Sequence, residues 1–105
     1  MEVFRYIPES GSMSKLQHEQ AFEIMKHKDF DVNVTRPFYG RTVSLLELLV
    51  HRTHNSEELI EYLLKKPTIE IKDDVVIELI AKKDQNTLQL FKKYKKIPKT
   101  LKNLI

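Results

Sequence analysis

Asp31-Val32-Asn33, Gly40-Arg41-Thr42, the apolar run Val43-Ser44-Leu45-Leu46-Glu47-Leu48-Leu49-Val50, and Glu57-Glu58-Leu59-Ile60-Glu61-Tyr62-Leu63-Leu64-Lys65-Lys66 follow one another between residues 31 and 70. Their order decides the fold. Asn33, Thr35 and Arg36-Pro37 carry turn chemistry, so residues 29–39 read as a break. Thr42 has the side-chain oxygen an N-cap needs, which predicts a helix from Val43 to about His51. That helix is apolar nearly all round, at Val43, Leu45, Leu46, Leu48, Leu49 and Val50. Helices of this kind are sandwiched between neighbours. Asn55-Ser56 open the next helix, Glu57 and Glu58 suit its positive end, and Pro67 lies beyond its stop.

Working outward, Leu16, Ala21, Phe22, Ile24 and Met25 recur at roughly helical spacing after Ser14, a candidate cap, which predicts a helix over residues 14–28. Downstream, Thr68-Ile69-Glu70-Ile71-Lys72-Asp73 echoes Asp31-Val32-Asn33-Val34-Thr35, 37 or 38 residues on. Asp73 or Asp74 is read as capping a helix from Val75 to about Lys82, and Asp84 or Asn86 as capping another over residues 87–95. Pro98 suits the first turn of a last short helix, with Leu101, Leu104 and Ile105 apolar. Five or six short helices joined by brief turns predict an all-α protein. It would be a short stack of antiparallel helix pairs closed by a C-terminal capping helix, with Leu46, Leu49, Leu63 and Phe91 buried between pairs.

The Asp31-Val32-Asn33 turn, the Gly40-Arg41-Thr42 helix start and the Glu57 to Lys66 helix together resemble an ankyrin repeat. That repeat reads as a D-V-N turn, a G-x-T-P-L-H start and a second helix like E-I-V-x-L-L-L. Val43 stands where proline is usual, and Ser44-Leu45 replace Leu-His. The resemblance covers about residues 21–94 and rests mainly on one repeat; its echo exceeds the usual period of about 33 residues. It implies a helical repeat solenoid whose fingers and inner helices hold other proteins. The finger here is residues 34–41. Arg36, Phe38, Tyr39 and Arg41 sit together in it, and aromatic and arginine side chains are the types that anchor interfaces. These four are the predicted partner-binding residues, with one of the two aromatics expected to pack under the loop.

A chain of 105 residues is about one domain. Hydrophobic content of 41% with 31% charged residues fits a globular protein rather than a disordered one. The absence of cysteine excludes a disulfide framework and a thiolate site, and is expected of an intracellular protein, nuclear or cytoplasmic. No apolar run approaches the ~20 residues needed to span a bilayer, and no signal-peptide h-region is present.

Gly11-Ser12-Met13 reads as a seam. Residues 1–12 are then an extended segment plus a Gly-Ser junction, either a native arm or a fused partner peptide, ahead of a domain at residues 13–105. In the fused reading Phe4, Tyr6 and Ile7 are ligand anchors, Phe4 and Tyr6 on one face of an extended chain and Ile7 on the other. They would dock on the helical domain of their own chain or of another copy.

His51 and His54 stand at i, i+3 and read as a surface pair, since zinc needs about four ligands. Asp73-Asp74 read as helix-capping acids rather than a metal or acid pair. Only two glycines are present and no G-x-S-x-G, which disfavours phosphate loops and serine hydrolases. No catalytic residue, cofactor or metal is therefore predicted. Lys92, Lys93, Lys95 and Lys96 surround Tyr94, with Lys99 and Lys102 following. They can grip phosphates while Tyr94 stacks a base, or they can simply be a solvated helix face. The expected function is a protein-binding adaptor that takes a short linear segment of a partner. Nucleic-acid binding through residues 92–102 is the alternative, and a domain that only dimerises is the third.

Overall fold

The apolar run beginning at Val43 is divided between a strand and a helix. A computed structural model describes residues 3–8, 11–51, 53–54 and 56–104. In chain order they form a 3-10 turn (Val3–Tyr6), β1 (Gly11–Ser12), α1 (Lys15–Met25), β2 (Thr35–Phe38), β3 (Arg41–Ser44), α2 (Leu45–His51), β4 (Thr53–His54), α3 (Glu57–Leu64), α4 (Asp73–Lys82), α5 (Gln85–Lys93) and a second 3-10 turn (Lys99–Leu104). The expected all-α stack of antiparallel helix pairs, an ankyrin-like solenoid with a capping helix, is not what the chain forms. Among the described residues five helices are combined with an antiparallel hairpin, β2–β3, and a parallel two-residue ladder, β1–β4. The C-terminal cap is a 3-10 turn.

The hairpin arises from a two-residue loop. Tyr39 and Gly40 both have positive φ, 48° and 82°, which is the backbone of a type I′ turn and matches the twist of the strands it joins. Thr35, Val43 and Thr42 are β-branched and Phe38 is aromatic, residues that suit a pleated surface. The register pairs Phe38 with Arg41, Pro37 with Thr42, Arg36 with Val43 and Thr35 with Ser44. Alternation from the closing pair puts Pro37 at a non-hydrogen-bonded position, where its missing N–H costs the ladder nothing. Because Thr42 and Val43 are in β3, the cap moves to Ser44, whose Oγ accepts the Glu47 N–H at 3.1 Å. The cap expected at Thr42 is thus displaced by two residues.

The N-terminal segment also departs from the extended form expected of it. Its 3-10 turn is followed by an Ile7 N–H bond to the Phe4 carbonyl at 3.2 Å. Side chains at i and i+3 eclipse in this geometry, so Phe4 and Ile7 share a face instead of opposing. Both are buried with Val3 in the main core, and Tyr6 packs at its edge. Gly11 and Ser12 pair with Thr53 and His54 in the parallel ladder. The remaining residues of the first ten (1, 2, 9 and 10), Asn55 of the expected helix opening and Ile105 of the expected cap lie outside the described residues.

Ser14 caps α1 with a capping box: its Oγ accepts the Gln17 N–H at 3.1 Å and the Gln17 carboxamide oxygen accepts the Ser14 N–H at 2.9 Å. Ala21, Ile24 and Met25 face inward, but Leu16 is 62% exposed. Leu16 is five positions before Ala21, about 140° round the helix at 100° per residue, which takes it off the buried face expected for it. Central to the core is α2, with Leu45, Leu46, Leu48 and Leu49 all buried. It packs on α3 and α4, while α5 packs on α3 and α4. The buried Ser56 hydroxyl donates to the Leu49 carbonyl at 3.1 Å, satisfying an end group of α2 rather than capping α3.

The two echoing segments of sequence lie side by side. Asn33 Nδ2 donates to the Thr68 carbonyl and its Oδ1 accepts the Glu70 N–H, both at 2.8 Å. Its own N–H is held by Asp31 Oδ1 at 2.9 Å, an Asx turn that aims the carboxamide.

Both α4 and α5 end in Schellman motifs. Lys83 and Lys95 occupy the left-handed position, φ 58° and 57°. After α4, Asp84 N–H bonds the Leu79 carbonyl and Lys83 N–H the Ile80 carbonyl, each at 3.1 Å. Glycine is usual there. A non-glycine residue costs about 1–2 kcal/mol, and glycine's greater unfolded-state freedom offsets about 0.4–1 kcal/mol of any gain from replacing it. Lys83→Gly is therefore expected to stabilise the protein by roughly 0.5–1 kcal/mol, read as a higher urea midpoint. A lower midpoint would mean that Lys83 makes a contact outweighing its strain.

Candidate hairpin interface and its flanking charges

The hairpin divides the four predicted partner-binding residues between two environments. Phe38 is buried beneath the strands, and Tyr39 is 87% exposed at the tip. Their rings meet edge to face, 4.6 Å apart between centroids at 85°, so the buried ring steadies the exposed one. Arg36 and Arg41 share the inner face with Phe38, by strand alternation and by the Phe38–Arg41 pairing. They leave it on different sides. The Arg36 guanidinium carbon is 5.7 Å from the Phe4 ring centroid, which links the hairpin to the N-terminal turn. Arg41 Nη2 is 3.0 Å from Glu47 Oε2, across the start of α2. Phe4, Tyr6 and Ile7, the other predicted anchors, belong to or border the core of their own chain.

Beneath the hairpin lies a cleft of about 120 Å³ between β3, α2 and α4. His51 closes it. Its side chain is only 8% exposed, and Nε2 lies 2.9 Å from Glu78 Oε2. That approach is off the line of a hydrogen bond, and neither ring nitrogen has a hydrogen-bond partner among the described residues. The expected surface pair of His51 and His54 fails at His51, whose side chain is buried where α2 ends; His54 belongs to β4. Among the described residues no group of three or more His, Asp or Glu is placed to hold a metal ion.

Burial holds the His51 pKa below its usual value; Glu78 and Glu47 pull it up, while Lys82 and Arg41 push it further down. Lys82 is anchored here, its Nζ donating to the His51 carbonyl at 3.3 Å. A histidine with a depressed folded-state pKa binds fewer protons folded than unfolded. Stability is then complete above the unfolded value of 6.5 and is lost as pH falls towards the folded value. The urea midpoint is expected to drop between pH 7.5 and 5.5, and His51→Gln to flatten part of that drop. An identical slope in the variant would show that His51 is not the group responsible.

Towards the C-terminal end of the sequence, the four predicted nucleic-acid lysines are not equivalent. Lys92 and Lys95 line a concavity with Ile97 and Lys102, whereas Lys93 turns to Glu61 on α3 at 3.3 Å. Hydrogen bonds from Tyr94 and then Lys93 hold the Glu61 carboxyl below its usual range. Lys93 Nζ also sits 5.3 Å from the Tyr94 ring centroid. Tyr94 is tied to this cluster and half-buried, which does not leave it free as a stacking platform. Lys96 closes the Schellman motif through its N–H. Sequence reading joined Lys102 to the basic stretch but had no signal for its meeting Lys92 and Lys95. It had none for the meeting of His51 with Glu78, which comes from another helix.

Comparison with protein-family models, curated proteins and solved structures finds no match to this chain. Among the described residues no helix is long and apolar enough to cross a membrane.

Proposed function

We propose that the chain is a protein-binding module that takes a short segment of a partner protein against the β2–β3 hairpin. The observation that supports this most is Tyr39, an 87% exposed aromatic held at positive φ in a two-residue turn. Asparagine is favoured at that position, and a tyrosine there stores strain of about 1–2 kcal/mol. Strain of this size is retained at binding and switch sites when the side chain is needed there. Tyr39 is the inserted anchor and Phe38 its support, while Arg36, over the Phe4 ring, and Arg41, paired with Glu47, brace the hairpin on either side. An intracellular setting belongs to the same proposal and rests on the cysteine-free composition.

The test is to select peptides from a random display library on the intact chain and compare their affinity for Tyr39→Asn. This variant creates the Asn-Gly pair that type I′ turns prefer, so the hairpin keeps its fold while losing the ring. Loss of an aromatic hot spot is expected to weaken selected peptides by at least about tenfold. Binding to Leu16→Ala, changed at a different exposed apolar residue, should be unaffected. Selected peptides that bind Tyr39→Asn equally well, or a selection that enriches nothing, would sink the proposal.

A further inference from the structure

Charge is divided unevenly along the chain. Residues 85–105 hold six of the 18 Lys and Arg and none of the 15 Asp and Glu, so this end carries +6 and the remaining 84 residues carry −3. Three of the six converge. Lys92 in the last turn of α5, Lys95 just beyond it and Lys102 on the second 3-10 turn line one concavity of about 310 Å³, with Ile97 in its wall. Among the described residues none of these three ammonium groups has a carboxylate partner. The neighbouring Lys93 does have one, in Glu61, so it is committed to α3 while Lys92, Lys95 and Lys102 line the concavity.

Lys95 is where its backbone least favours a lysine. It has φ 57° and closes the Schellman motif, its N–H on the Lys92 carbonyl at 3.0 Å and the Lys96 N–H on the Phe91 carbonyl at 2.8 Å. Those bonds also occupy carbonyls at the negative end of α5. A helix C-terminus carries about half a negative charge, which three ammonium groups outweigh. The concavity is near the lower bound of ligand pockets, about 300 Å³, and Tyr94, the aromatic of the basic stretch, is half-buried beside Lys93 and is not in the concavity's lining. Compactness and the want of a stacking ring favour a small, highly charged ligand over a strand of nucleic acid.

We propose that this concavity binds a compact polyphosphate, an anion with two or more phosphate groups close together, either free or as the headgroup of a lipid. Lys92, Lys95 and Lys102 supply charge-assisted hydrogen bonds to its oxygens, and Ile97 gives an apolar wall. This site is separate from the hairpin, and the two proposals fail independently.

Two backbone-equivalent lysines make the test. Lys83 and Lys95 both occupy the left-handed position of a Schellman motif and both are exposed, but only Lys95 lines the concavity. The full chain is titrated with inositol hexakisphosphate and followed by amide chemical shifts. The expected result is saturable shifts confined to Lys92, Lys95, Ile97, Lys102 and their neighbours. Lys95→Gly should weaken binding about tenfold, the scale of one charge-assisted bond, while melting no lower than the parent. Lys83→Gly, with the same loss of charge, should bind as the parent does. Binding that requires phosphatidylinositol bisphosphate in phosphatidylcholine vesicles assigns a lipid source, and equal binding of the free headgroup assigns a soluble one. Non-saturating shifts, equal losses in the two glycine variants, or a single-stranded RNA bound more tightly than the hexakisphosphate through the same lysines would overturn the proposal.

Discussion

Phe91→Ala is expected to lower the free energy of unfolding by about 3–5 kcal/mol. Phe91 is fully buried in α5, in the same core cluster as Leu63 of α3 and Leu79 of α4. α5 packs on both of those helices, so the lost ring leaves a cavity whose walls belong to three elements, each fixed by further contacts, and such a site collapses poorly. Domains have only about 5–15 kcal/mol of stability in total. The loss should therefore lower the melting temperature by more than about 10 °C, at roughly 4 °C or more per kcal/mol for a domain of this size. A cost below about 1 kcal/mol in urea denaturation would show that α5 does not pack as described.

Phe4→Ala is expected to cost nearly as much, at the low end of about 3–5 kcal/mol. Phe4 is buried with Val3 and Ile7, and its turn packs on α1. A short 3-10 turn readjusts more easily than a helix held on two sides, which places this loss below that of Phe91. The variant also removes the ring over which Arg36 lies, worth about 0.5–1 kcal/mol at an exposed site. A loss within about 0.5 kcal/mol, typical of surface changes, would mean that the N-terminal turn is not integral to the fold. The same measurement bears on the reading of residues 1–12 as a separate ligand segment: the larger the loss, the more this segment behaves as part of one core.

The candidate hairpin interface was legible in part. Arg36, Phe38, Tyr39 and Arg41 stand together in the sequence, so their grouping needed no structure. Their division into a buried ring, an exposed ring and two diverging cations depends on the strand register, and one residue of slip would have inverted it. Tyr39-Gly40 between β-favouring residues was the available sign of a hairpin. The Gly-x-Thr pattern that follows competes with it, because the same residues suit a helix start. The concavity of Lys92, Lys95 and Lys102 was less legible. The three are close in sequence, but what separates them from Lys93 is a carboxylate on α3.

By itself, the sequence determined whatever depends on neighbours within one turn of helix. The Ser14 capping box, the Asp84 cap of α5, the acidic start of α3 and the apolar positions Leu46, Leu49, Leu63 and Phe91 all follow from local hydrogen bonding and from a 3.6-residue period. Tertiary structure decided what depends on partners far along the chain. Asn33 finds Thr68 and Glu70, His51 is buried against Glu78, and residues 3–7 fold as a turn because a core is there to receive Phe4 and Ile7. Such contacts carry no local signature: an aromatic beside a β-branched residue suits an extended strand and a 3-10 turn alike. Only the apolar surface it is pressed against selects between them.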